Sequence, residues 1–148
     1  MEGSWKLFYF KPFQERYKQL ALDVLALSKK NPDTYKTHKK TKFLAQINSV
    51  IKNKILTNPN DKEFNLGNTL PKEYSFYKRA KAGLPARYRL FFRFRSDQTK
   101  IIIIWMNDEF SLRKAGSKTD AYTIFTSMLK SRTIPNEWNS LLKKSKAQ

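Results

Sequence analysis

Hydrophobic and polar positions along the chain change period several times, and each change predicts an element. Trp5, Leu7 and Tyr9 alternate with Lys6 and Phe8, the pattern of a first strand. Pro12 sits where a helix tolerates proline, in its first turn, so a helix is expected from about Phe13. Phe13, Tyr17, Leu20, Val24 and Leu27 recur at intervals of four and three, which lays one apolar stripe along that helix. Asn31-Pro32-Asp33 reads as a cap followed by proline at the first helical position, opening a second helix that carries Phe43, Ile47, Val50 and Ile51 and stops at Asn58-Pro59-Asn60-Asp61. Two consecutive helices with a short turn predict an antiparallel hairpin.

Beyond a polar loop over 61–72, period two takes over and predicts strands at 74–82, 87–94 and 100–106. Ser96-Asp97-Gln98-Thr99 supplies the turn between the last two. The run Ile101-Ile102-Ile103-Ile104-Trp105 is apolar on both faces, as expected of a central, covered strand with helices over one side. Asp108 is expected to cap a short helix ending near Gly116, with Glu109 as its first-turn acid. Ser117-x-x-Asp120 resembles a capping box before a helix over 121–130, and Pro135 is expected to start a last helix. Trp138, Leu141 and Leu142 pin that helix, while Lys143, Lys144 and Lys146 are expected to fray into solvent.

In the strand at 87–95, period two sorts Tyr88, Leu90, Phe92 and Phe94 to one face and Arg87, Arg89, Phe91, Arg93 and Arg95 to the other. One face is core and the other is cationic. Same-face residues lie about 6 to 7 Å apart, close to the spacing of phosphates along a nucleic-acid strand, and Phe91 among them is placed to stack a base. Lys78, Arg79 and Lys81 extend the patch, so eight basic residues face the single acid Glu73 between positions 72 and 95.

Composition bounds what such a patch serves. A chain of 148 residues fits one domain, 1–148, and buries roughly two-thirds of its unfolded surface. Hydrophobic residues make up 40% and aromatics 14%, so the charge sits on a folded body and not on a disordered tail. Lys and Arg number 30 against 12 Asp and Glu, a formal charge of +18, whereas solubility of a small domain needs only about 2 to 8. A polyanion is the expected partner, RNA ahead of DNA. Absent cysteine removes disulfides, thiolate nucleophiles and zinc clusters. The first ten residues, with Glu2 and Lys6, hold no apolar targeting core, and no stretch approaches a membrane span, so a cytoplasmic protein is expected, without cofactor or metal. His38, the only histidine, stands among lysines and reads as a solvated helix position.

Arg87-Tyr88-Arg89-Leu90-Phe91-Phe92-Arg93, then Ile104-Trp105-Met106-Asn107-Asp108-Glu109, Leu112-Arg113 and Lys118-Thr119-Asp120-Ala121-Tyr122-Thr123 resemble the YhaV toxins of type II toxin-antitoxin systems. The resemblance runs from the Trp5 strand to Met128-Leu129-Lys130. It implies an α+β, RelE/ParE-like fold in which an N-terminal strand and a helical hairpin pack on a mostly antiparallel sheet, with C-terminal helices. It implies an endoribonuclease (mRNA interferase), often acting on the ribosome, an antitoxin partner of the swapped-hairpin PrlF type, and operator DNA bound together with that antitoxin. Cleavage of RNA without a metal uses the 2′-hydroxyl as nucleophile, and the family comparison assigns that chemistry to Arg79, Lys81, Arg89, Arg113 and Tyr122. RNA binding falls to Lys78, Arg87, Phe91, Arg93, Arg95 and Lys118. Lys118 stands where related proteins carry an arginine, which keeps the charge and gives up bidentate geometry. The main alternative is a noncatalytic nucleic-acid-binding module, ribosomal or operator-binding; another is a domain that binds an acidic protein.

Overall fold

Strand β1 (Lys6–Phe10) leads directly into α1 (Lys11–Lys30) in a computed structural model that describes residues 4–148; Glu2 lies outside them. Pro12 stands in the first turn of α1, where its missing N–H costs nothing. Asn31 ends α1, its N–H donating to the Leu27 carbonyl at 2.8 Å, so it is a C-cap and not the start of the next helix. A 3-10 turn (Tyr35–Thr37) follows before α2 (Lys39–Ser49), which continues as a wider π turn over Val50–Ile55. The histidine is itself the cap of α2: His38 Nδ1 accepts the Lys40 N–H at 3.1 Å.

Three further strands are β2 (Lys78–Ala80), β3 (Leu90–Arg95) and β4 (Lys100–Met106); then come α3 (Ala121–Lys130), α4 (Trp138–Lys143) and β5 (Ser145–Ala147). The five strands lie in the order β2-β3-β4-β1-β5, with β1 parallel to β4 and every other pair antiparallel. This is the α+β arrangement implied by the RelE-like resemblance, with the helical hairpin on a mostly antiparallel sheet.

Helices cover both faces of the sheet, not one. On the first face, Phe13 of α1 and Ile47, Val50, Ile51 and Ile55 of the second helix pack against Leu90, Phe92, Ile101 and Ile103. On the second, Phe125 and Leu129 of α3, Trp138 and Leu141 of α4, and Leu66, Leu70 and Tyr77 from the loop before β2 pack against Phe91, Ile102 and Ile104. A strand apolar on both sides requires this double cover. Phe91 lies opposite Trp105 and Phe92 opposite Ile103, so Ile104 is an extra, bulged residue. The bulge turns Ile104 and Trp105 to the same side and returns Met106 to the other.

Local departures from the periodic pattern have local causes. Only Lys78–Ala80 of the expected 74–82 strand pairs, because Tyr74 closes a 3-10 turn and Tyr74 and Tyr77 are buried under the second face. β3 begins at Leu90 because Arg87 has φ +71, left-handed backbone that cannot extend a ladder. No helix forms over 108–116; Asp108 Oδ1 instead accepts the Phe110 N–H and the Ser111 hydroxyl, both at 2.9 Å, capping a turn. α4 starts at Trp138, not Pro135. The expected frayed tail is edge strand β5, with Lys146 opposite Tyr9 and the Gln148 N–H on the Leu7 carbonyl at 2.9 Å.

Candidate active site

Asp120 fixes the start of α3. Its Oδ2 accepts the Tyr122 N–H at 3.0 Å and its Oδ1 accepts the Lys114 N–H at 2.6 Å, so one carboxylate caps the helix and ties down the preceding loop. Tyr122, in the first turn of α3, thereby points its ring at the edge of Phe91, with centroids 5.5 Å apart and planes at 84°. Its phenol oxygen meets two arginines from the sheet side. Arg79 Nε donates to it at 2.8 Å and Arg89 Nε at 3.2 Å. Arg79, on β2, is 8% exposed and also donates from Nη1 to the Glu63 carbonyl at 2.9 Å. Arg89 is half-buried and donates from Nη1 to the Tyr88 carbonyl at 2.9 Å.

Arg113 closes the cluster from the loop. Its guanidinium carbon lies 4.7 Å from the centre of the Tyr122 ring, and its Nη1 pairs with Asp120 Oδ1 at 3.0 Å. Three guanidiniums thus surround one phenol, with a single buried carboxylate paired to Arg113, and the cluster carries a net charge of two positive. A phenol oxygen that accepts two N–H bonds must turn its own O–H away from both donors. Tyr122, Arg113, Asp120 and Thr123 line an open cleft of about 740 Å³ that continues past Gly116 to Lys130.

The cluster unites four of the five residues assigned to catalysis: Arg79, Arg89, Arg113 and Tyr122. Lys81 is exposed just beyond β2. The Ser117-x-x-Asp120 spacing reads as a capping box, but Asp120 is itself the N-cap of α3 and Ser117 Oγ accepts the Thr119 N–H in the preceding loop; the second role of Asp120, neutralising Arg113, depends on contacts in space that spacing cannot show.

The residues assigned to RNA binding scatter. Phe91 is stacked on Phe125 with centroids 4.1 Å apart, lies beside Trp105 at 5.7 Å, and is 0% exposed, so its ring is closed to a base. Arg93 is half-buried against Phe76, Tyr77 and Trp138, with its carbon 4.3 Å from the Phe76 ring centre, and Nη1 donates to the Asn136 carbonyl at 2.7 Å. Burial pulls its pKa below the usual arginine value. It braces α4 and is not part of an open cationic face. Arg95 is exposed and forks onto Asp97 at 3.0 and 2.6 Å. Arg87 is exposed, and it and Arg113 exchange bonds: Arg87 Nε donates to the Arg113 carbonyl at 3.1 Å and the Arg113 N–H donates to the Arg87 carbonyl at 2.9 Å. Lys78 is half-buried with Nζ on Asn65 Oδ1 at 2.9 Å, and burial lowers its pKa. Lys118 is exposed. Among the described residues no three His, Asp or Glu side chains group to hold a metal ion, and no helix is long and apolar enough to cross a membrane.

A profile of a family described as toxins with endonuclease activity, of toxin-antitoxin systems, matches residues 7–146. Toxin YhaV of Escherichia coli O6:H1 is 42% identical over 140 residues, 94% of this chain and 90% of that protein. Ribonuclease toxin YhaV of Escherichia coli K12 is 40% identical over 144 residues, 97% of this chain and 93% of that one. No solved structure matches the chain. The matched span covers the arginine-tyrosine cluster, and the chain belongs to the YhaV family of endonuclease toxins of toxin-antitoxin systems.

Proposed function

We propose that this protein is an mRNA-cleaving endoribonuclease toxin that cuts RNA without a metal ion, at the Tyr122 cluster, by attack of the 2′-hydroxyl on the adjacent phosphorus. The observation that carries the proposal is the single phenol oxygen held by Arg79 and Arg89 with Arg113 against its ring. In-line attack forms the 2′-oxygen–phosphorus bond and breaks the bond to the 5′-oxygen; the 2′-hydroxyl proton leaves to solvent and the departing oxygen takes one. Tyr122, with its O–H turned away from both arginines, donates that proton. Arg79 and Arg89 each use two N–H groups in the bonds above and retain three of a guanidinium's five for phosphate oxygens. Their charge, with Arg113 and the exposed Lys81, neutralises the transition-state phosphorane.

Lys78, Arg87, Arg95 and Lys118 extend the field along the RNA backbone. The resemblance supports a cytoplasmic toxin acting on ribosome-bound mRNA, held in check by an antitoxin of the PrlF swapped-hairpin type that joins it on operator DNA. Induced expression of the wild type beside Arg89→Ala, with RNA ends mapped, tests the proposal. Growth arrest and new RNA ends are expected for the wild type alone. RNA binding with no cleavage, with or without ribosomes, would leave a noncatalytic module.

A further inference from the structure

Asn107, the residue after β4, is 0% exposed, a polar side chain at the end of an apolar strand. Its amide is spent on the segment that delivers the catalytic arginine. Oδ1 accepts the Arg89 N–H at 2.7 Å, while Nδ2 donates to the Arg87 carbonyl at 3.0 Å and the Ser111 carbonyl at 2.8 Å. One side chain therefore clamps the backbone on both sides of Tyr88 and the loop that leads to Arg113. The left-handed Arg87, an unfavourable conformation for a side chain of that size, is held by this bond and by the Arg113 N–H on the same carbonyl. Asn107 is anchored in turn from the other helical layer, where Arg16 Nη1 of α1 donates to both the Met106 and Asn107 carbonyls. Burial pulls the pKa of Arg16 below the usual arginine value, and the nearby Asp108 carboxylate partly offsets it.

We infer that Asn107 is a positioning residue for RNA cleavage: its amide sets the path of the Arg87–Arg89 backbone so that Arg89 reaches Tyr122, and Arg16 locks it there. The inference rests on the assignment of cleavage to the Tyr122 cluster. Only an amide meets the requirement, since the site needs one acceptor and two donors from a single uncharged group. Arg16 touches neither Tyr122 nor the arginines around it in the described hydrogen bonds, so its effect on the cluster passes through the Met106–Asn107 backbone that it holds.

Single-turnover cleavage of a short RNA separates positioning from folding. Asn107→Leu keeps the branched shape and removes all three bonds. Measured well below its melting temperature and normalised to folded protein, its maximal rate is expected to fall roughly 100-fold, the order expected of a reactive group displaced by about 1 Å. The RNA concentration giving half that rate is expected to move less than about threefold, because no charge is lost. Arg16→Met is expected to slow the rate by roughly tenfold, and Arg16→Lys to slow it less, since an ammonium has three donors to offer the two carbonyls. If Asn107→Leu does not fold, the Arg16 pair decides. Arg89→Ala and Tyr122→Phe run beside them. Wild-type rates in those two controls would overturn the assignment of the site; slow controls with wild-type rates per folded molecule in Asn107→Leu, or in both Arg16 variants, would overturn the positioning role alone.

Discussion

Removing one oxygen atom, by Tyr122→Phe, separates the packing of Tyr122 from its chemistry. The ring keeps its edge contact with Phe91 and the Arg113 guanidinium over its face, at 5.5 and 4.7 Å. Two hydrogen bonds disappear. Arg89 is half-buried and can exchange its bond for water, but Arg79 is 8% exposed and keeps only the Glu63 carbonyl. A lost bond to a buried charged donor costs about 1.5–3 kcal/mol, so stability should fall by that amount. At roughly 2–4 °C per kcal/mol for a chain of this size, the melting temperature drops about 3–12 °C. Cleavage should fall further than stability, by about 10²- to 10⁴-fold, the usual range for a lost general acid. Affinity for RNA is expected to stay within about threefold, because the formal charge of +18 is untouched. Purified variant and wild type are compared by single-turnover cleavage of labelled RNA, by binding titration, and by thermal melting. Cleavage within threefold of wild type in a folded Tyr122→Phe would refute the role given to the phenol.

Burial raises the pKa of Tyr9, with Tyr17 adding to the effect. Below about pH 10 both folded and unfolded chains keep that proton and stability is undiminished; above it the unfolded chain releases the proton first, so stability declines by up to about 1.4 kcal/mol per pH unit. Melting followed from pH 9 upward should show Tyr9→Phe losing stability less steeply than wild type, and parallel curves would count against it. Phe91→Ala removes a ring that stacks on Phe125 and Trp105, so denaturant melts should show a loss of about 3–5 kcal/mol with RNA affinity of the folded fraction unchanged; a selective loss of RNA binding would mean the ring reaches bases. Arg93→Ala should destabilise the fold yet leave the salt dependence of RNA binding unaltered, whereas Arg89→Ala should lower that slope by about one. Equal slopes for the two would erase the distinction drawn between them.

Alternation sorted side chains to faces well: Phe91 and Leu90 do lie on opposite sides of β3, as period two requires. It could not say what covers each face. The cover over Phe91 comes from Leu66, Leu70, Tyr77 and α3, segments whose own patterns carry no mark of their destination, and so an expected open cationic face became an interior with Arg93 spent on aromatic rings. Arg79 and Arg89 stand 43 and 33 positions before Tyr122 in the chain, and in the sequence family likeness joins the three, not spacing. The left-handed turn at Arg87, the bulge at Ile104 and the pairing of β5 with β1 are set by tertiary contacts, and a local pattern of apolar and polar residues holds no signal for them. Asn107 is similar: an asparagine after an apolar run reads as a strand end, and its three partners come from two other segments.

Cutting of RNA by its own 2′-hydroxyl at the arginine-tyrosine cluster would leave diagnostic termini and need no metal ion. Cleavage by purified protein in excess chelator, followed by chemical identification of the new termini, tests it most directly. Undiminished cleavage leaving a 2′,3′-cyclic phosphate and a 5′-hydroxyl is expected, with both products lost in Arg89→Ala. Termini bearing a 3′-hydroxyl and a 5′-phosphate, or activity that disappears with the chelator and returns with a divalent ion, would contradict it.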